Sequence, residues 1–144
     1  MLTQPLKQAG LLALLLLILG FSVAPMAHAA DKQGVVIQVS DNDPAKWNLA
    51  LNNARNIQND LGKDKVDIEI VAYGPGINML KKDSEVGPRL DEATMGGVAV
   101  SACQNTMKAQ KLSEKDIHAS VAYVPAGVLE IMKKQQAGWS YIRP

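Results

Sequence analysis

Val98-Ala99-Val100-Ser101-Ala102 is a strand-length run that is apolar on both faces. A strand with no wet side belongs inside a parallel sheet that is covered from above and below. That one run reads as a central strand, and covering it takes helices. The rest of the chain supplies them. Val35 to Val39 is a β-branched run, and Ser40-Asp41-Asn42-Asp43-Pro44 then turns the chain, with Asp43 placed to cap a helix and Pro44 in its first turn. Trp47, Ala50, Leu51, Ala54, Ile57 and Leu61 recur at three- and four-residue spacing up to the stop at Gly62, which predicts a helix of about five turns.

Val66, Ile68, Ile70 and Ala72 alternate with Asp67 and Glu69. This second strand has a polar face near its start, which places it at a flank of the sheet. Tyr73-Gly74-Pro75-Gly76 breaks it. A short helical stretch over residues 77–82 and an irregular segment to Gly96-Gly97 are expected next. The helix that begins at Cys103, a fourth strand over residues 119–124, a helix opened by Pro125-Ala126-Gly127 and a last strand over residues 139–142 complete the pattern. Strand and helix alternate throughout, the signature of an α/β sheet with right-handed crossovers and helices on both faces.

The beginning of the chain bears on compartment. Lys7 precedes an apolar run from Leu11 to Leu19, which leads to Ala27-His28-Ala29. This is the pattern of a secretory signal peptide, residues 1–29, cleaved after Ala29. As an uncleaved anchor the run is short against the roughly 20 residues of a bilayer span. Residues 30–144 then form a single soluble domain in the periplasm, with no membrane segment once the leader is removed. Its 14 basic and 14 acidic residues balance after Lys7 is lost. Without a basic stripe, nucleic acid is not an expected partner. Lys81-Lys82 and Lys133-Lys134 read as solvated helix faces.

Cys103 is the single cysteine of the 144-residue chain, so no disulfide forms within it. In an open parallel sheet, ligands gather outside the carboxyl ends of the strands. Those ends carry Asn42, then Tyr73 and Gly74, then Cys103 with Asn105 and Thr106, and finally Gly127. These seven are the candidate site residues. At a helix start the dipole favours a thiolate by about 0.3–1 kcal/mol, well under one pKa unit. Lys108 and His118 are the nearest candidate cations in sequence. An unpaired cysteine also behaves as a small buried hydrophobe, and both readings stay open at this point.

No cofactor is called for and no metal site is assigned. Cys103 and Met107, four apart on a helix, with Met79, Met95 or His118, form the one soft-donor set that Cu(I) would take. Gly74-Pro75-Gly76 lacks the phosphate-loop pattern. His118 is the one histidine after the leader and is expected exposed at a strand start, with no Ser-His-Asp arrangement around it. Trp47 and Trp139 read as core or subunit-contact aromatics.

Ala102-Cys103-Gln104-Asn105-Thr106-Met107, Val124-Pro125-Ala126-Gly127-Val128 and Gly138-Trp139-Ser140-Tyr141-Ile142-Arg143-Pro144, in this order, resemble the exported branch of the DsrE/DsrF-like family. The resemblance implies a three-layer α/β/α sandwich with a mostly parallel sheet of about five strands. It also implies a homo-oligomer, as in YchN-like and DsrEFH proteins, which the apolar residues near the C-terminus support. For Cys103 it implies sulfur carriage: a persulfide accepted from a donor protein and handed to an acceptor. The alternatives are a non-catalytic module that binds a small ligand or a protein, with Cys103 packed inside, and the Cu(I) reading.

Overall fold

A computed structural model describes residues 32–144. The expected leader and its cleavage point lie outside the described residues. Five strands, β1 (Gln33–Val39), β2 (Val66–Ala72), β3 (Ala99–Cys103), β4 (Ala122–Val124) and β5 (Ser140–Ile142), form one sheet in the order β4-β3-β2-β1-β5. Every pairing is parallel. Four α-helices connect them: α1 (Pro44–Leu61), α2 (Gly87–Met95), α3 (Gln104–Ala109) and α4 (Gly127–Gln136). From β1 to β4 the chain steps across the sheet in one direction, so right-handed crossovers place α1, α2 and α3 on one face. From β4 it must return past β1 to β5, which carries α4 over the other face, where it packs on β1, β2 and β3. Three layers result. Among the described residues, no helix is long and apolar enough to cross a membrane.

α1 starts where Asp43 accepts a hydrogen bond from Ala45 N–H at 2.9 Å and stops at Gly62, whose φ is +93°. Its buried stripe is Trp47, Ala50, Leu51, Ala54 and Gln58, while Leu61 is exposed. Gln58 is tolerated inside because its amide donates to Gly96 O at 2.9 Å. Against α1 to α3 the sheet contributes Val35, Ile37, Val39, Ile68, Ile70, Ala72, Val100 and Ala102 to the main core.

Several expectations are corrected. β2 is the middle strand and not a flank. Its Glu69 is buried because Lys134 of α4 reaches it at 2.8 Å and the Ser101 hydroxyl donates to it at 2.7 Å. Asp67 stays exposed and pairs with Lys32. Lys134 is accordingly no solvated lysine; it also lies 4.0 Å from the centre of the Trp139 ring. That ring rests on Gly34, where a Cβ would fall 2.4 Å from it, so glycine is required there. The expected irregular segment contains α2. Pro88 is accommodated in the first turn of that helix, and its apolar stripe, Leu90 and Ala93, is too thin to reveal a period.

The stretch expected over residues 77–82 is a 3-10 helix at Gly74–Leu80. Gly76 begins its buried part, seated so tightly on β1 that a Cβ would lie 2.3 Å from Val39 O. The fourth strand is confined to Ala122–Val124. His118 is half-buried and not exposed: its backbone N–H donates to Leu80 O, and its ring lies 2.9 Å from the Ser120 hydroxyl and 3.7 Å from Asp91.

Candidate functional site

Because all five strands are parallel, their carboxyl ends share one rim, and Cys103 stands at it between β2 and β4. It is the last residue of β3 and the N-cap of α3, with φ −74° and ψ 113°, and its sulfur accepts the Thr106 N–H at 3.4 Å. A cysteine thus occupies the place that serine or aspartate usually takes at a helix start. The residue is 5% exposed.

The other groups close around it in sequence-distant pairs. Gly74 N–H donates to the Thr106 hydroxyl at 2.9 Å, and Gly74 O accepts from the Gln110 amide at 3.2 Å. Asn105 N–H donates to Pro125 O at 3.2 Å, which ties the start of α3 to the turn before α4. Gly127, the first residue of α4, is buried against three side chains. A Cβ there would stand 3.1 Å from Tyr73 Cβ, 3.2 Å from Val71 Cγ1 and 3.3 Å from Cys103 Cβ. Glycine lets the first turn of α4 settle on the thiol.

The electrostatic consequence follows from burial and donors. Burial, the largest single influence, pushes the Cys103 thiol up. The Thr106 hydroxyl and the backbone N–H groups of Gly127, Thr106 and Asn105 together outweigh it, so the thiol lies below its ordinary value. Neutral donors achieve this, not the cations considered from sequence. Lys108 is exposed on α3, and His118 precedes β4, its ring beside Gly87 and Asp91 of α2.

Six of the seven candidate residues therefore come together: Cys103, Tyr73, Gly74, Asn105, Thr106 and Gly127. Asn105 contributes through its backbone. Asn42 does not join them, since it lies beyond β1, one strand further on, where its side chain accepts from Asn78 at 3.1 Å. Gln110 was missed, although Cys103, Thr106 and Gln110 are three and four apart on one helical face. The Cu(I) set is dispersed: Met79 and Met107 belong to the main core, Met95 is 89% exposed at the end of α2, and His118 is held by Ser120 and Asp91.

The fold and site together define a class: a parallel three-layer α/β sandwich whose one thiol caps a helix at the carboxyl rim. Residues 26–144 match the model of the DsrE/DsrF-like family, and the chain belongs to that family. Among solved structures it is similar to MTH1491, a protein of unknown function from Methanobacterium thermoautotrophicum. The two are 38% identical, with 78% of this chain and 100% of that one covered and a TM-score of 0.75. The BT1422 protein of Bacteroides thetaiotaomicron, at 14% identity, covers 78% of this chain and 95% of its own with a TM-score of 0.64. The ychN protein of E. coli, at 10% identity, covers 78% and 99% with a TM-score of 0.64. These last two establish the fold alone. No curated protein matches the chain.

Proposed function

We propose that this protein is an exported sulfur carrier that holds sulfane sulfur as a persulfide on Cys103. The observation that carries the reading is the ring of N–H and hydroxyl donors around the only sulfur nucleophile, in a family whose membership suggests sulfur relay. The Cys103 thiolate attacks the outer sulfur of a donor persulfide, R–S–SH. The Cys103 S–S bond forms, the donor S–S bond breaks, the donor leaves as RS⁻, and the transferred outer sulfur keeps its proton until the new persulfide ionises to solvent. An acceptor thiolate then attacks the outer sulfur of the Cys103 persulfide, which restores the Cys103 thiolate. Each step is a displacement with no net redox change. Thr106, through its N–H and hydroxyl, and the Gly127 N–H stabilise the anionic sulfur.

The Ala27-His28-Ala29 exit supports periplasmic delivery, and the exposed Val128, Leu129 and Met132 on α4 support assembly with further copies. A monomeric mass by light scattering at micromolar concentration would contradict the assembly. Loading with isotopically labelled glutathione persulfide should place one extra sulfur on the Cys103 peptide, releasable to an acceptor thiol. Equal loading and delivery by Cys103→Ser would sink the reading.

The 5% exposure of Cys103 favours a second reading, a binding module in which the thiol only packs. Alkylation decides between them. Labelling that is slow in the native protein and fast after unfolding supports the packed thiol, whereas native labelling at the rate of a free thiol supports the carrier.

A further inference from the structure

At the end of the sheet opposite Cys103, α1 and α2 flank a cleft of about 180 Å³. Its inner lining is apolar, from Leu51 and Ala54 of α1, Ala93 of α2 and Val98 just ahead of β3. Its polar side chains are the cations Arg55, Lys63 and Arg89, the amides Gln58 and Asn59 and one carboxylate, Glu92, a net positive set. The two arginines converge on one neutral atom. Asn52 Oδ1 accepts from Arg89 at 2.7 Å and from Arg55 at 3.4 Å. Arg89 is oriented further by donating to Asn48 Oδ1. Lys63 Nζ stands 3.6 Å from the position a Cβ on Gly96 would take.

Among the described residues, none of the three cations forms an ion pair. Glu92, the one carboxylate of the lining, forms none either. Lys81, Lys82 and Lys115 also share one lining without an ion pair, but there Asp83 and Asp116 stand among them. Here two guanidinium groups share a single amide oxygen, and like charges held together in this way gain from an added anion. The Asn48 and Asn52 bonds orient the Arg89 guanidinium and leave it N–H groups to offer, the geometry that suits a planar carboxylate.

The geometry points to a binding site for a small organic carboxylate, its apolar body against Leu51, Ala54, Ala93 and Val98 and its carboxylate among Arg55, Arg89 and Lys63. An apolar cavity of about 150 Å³ accepts benzene, so the space suits one ring or a short chain. A bare inorganic anion would leave the apolar lining uncovered. The site is separate from the thiol and stands whether or not Cys103 carries sulfur.

The test is titration of the isotope-labelled protein, residues 30–144, with sodium benzoate by NMR. Saturable shifts are expected at the Arg55 and Arg89 side-chain N–H signals and at Leu51, Ala93 and Val98, with a Kd of about 1 mM or below. Arg55→Gln and Lys63→Gln change exposed side chains and keep the fold, and each is expected to weaken benzoate at least about tenfold. Cys103→Ser is expected to bind as the wild type does. No saturable shift at these residues, unchanged affinity in both charge variants, or equal binding of neutral benzamide overturns the proposal. Sulfate competing as strongly as benzoate overturns the organic part of it.

Discussion

The two faces of the sheet are built differently. Towards α1, α2 and α3 it presents a dry set that includes Val35, Ile37, Ile68, Ile70, Val100 and Ala102. Towards α4 the buried apolar cluster is only Val36, Val71 and Ile131, and it shares that side with Glu69, Ser101 and Cys103. Alternation along each strand produces the contrast, since neighbouring residues point to opposite faces. Full burial of one Val or Ile side chain is worth about 1.5–3 kcal/mol, so the first face carries most of the stability. The second face is where polar and reactive groups are tolerated, because among the described residues α4 alone covers it and Lys134 of that helix pairs with its buried carboxylate.

The largest expected effect tests the division of labour directly. Cys103→Ser should abolish sulfane sulfur transfer and leave the thermal midpoint nearly unchanged; a large fall in the midpoint would mean that the thiol belongs to the structural face after all. Next come two stability variants, one per face. Ile37→Ala should cost about 2–5 kcal/mol in denaturant unfolding through lost burial and a cavity. Lys134→Met should cost about 3 kcal/mol, because Glu69 would then be buried without its cation. Removing both charges, with Glu69→Gln added, should recover much of that loss. If Lys134→Met proved neutral, the ion pair would not be what holds α4 down.

Smaller effects sharpen the account of the thiol. Gly127→Ala introduces a Cβ at 3.1–3.3 Å from three side chains. It should cost about 1–3 kcal/mol and lift α4 from the sulfur, which would be read as a higher pH midpoint of Cys103 alkylation. Thr106→Val should raise the same midpoint by removing the hydroxyl, while wild type titrates below its ordinary 9.0. The sign for stability follows from the depressed folded value. Ionisation of Cys103 contributes stability that is fully present above the unfolded pKa and is lost as pH falls through the folded one. The stability gap between wild type and Thr106→Val should therefore widen at alkaline pH. A gap independent of pH would assign Thr106 to packing alone.

Much of this architecture is legible along the chain, in proportion to how local its cause is. The Asp43-Pro44 start, the stripe from Trp47 to Ala54 and the Gly62 stop depend on neighbours within a few residues, and α1 follows them. The Val98 to Ala102 run reads as an interior strand for the same reason. Leu61 falls outside the buried stripe, and Gln58 enters it because Gly96, far along the chain, accepts its amide hydrogen. β2 reads as a flank because Glu69 counts as a solvated charge until Lys134 and Ser101 are brought to it. For the site, each strand end announces its polar residues, but which ends are adjacent is a matter of strand order. That order unites Tyr73, Gly74, Cys103, Thr106 and Gly127 and leaves Asn42 aside.

Periodicity, caps and breaks thus settle the α/β class, the position of Cys103 where a strand becomes a helix, and the family motifs around it, because all of these arise from contacts between near neighbours. The central place of β2, the passage of α4 across the face opposite α1 to α3, and the arrival of Gly127 at Cys103 belong to the folded molecule. They arise from pairings between distant segments, whose free energies exist only once the sheet has closed the loops between them.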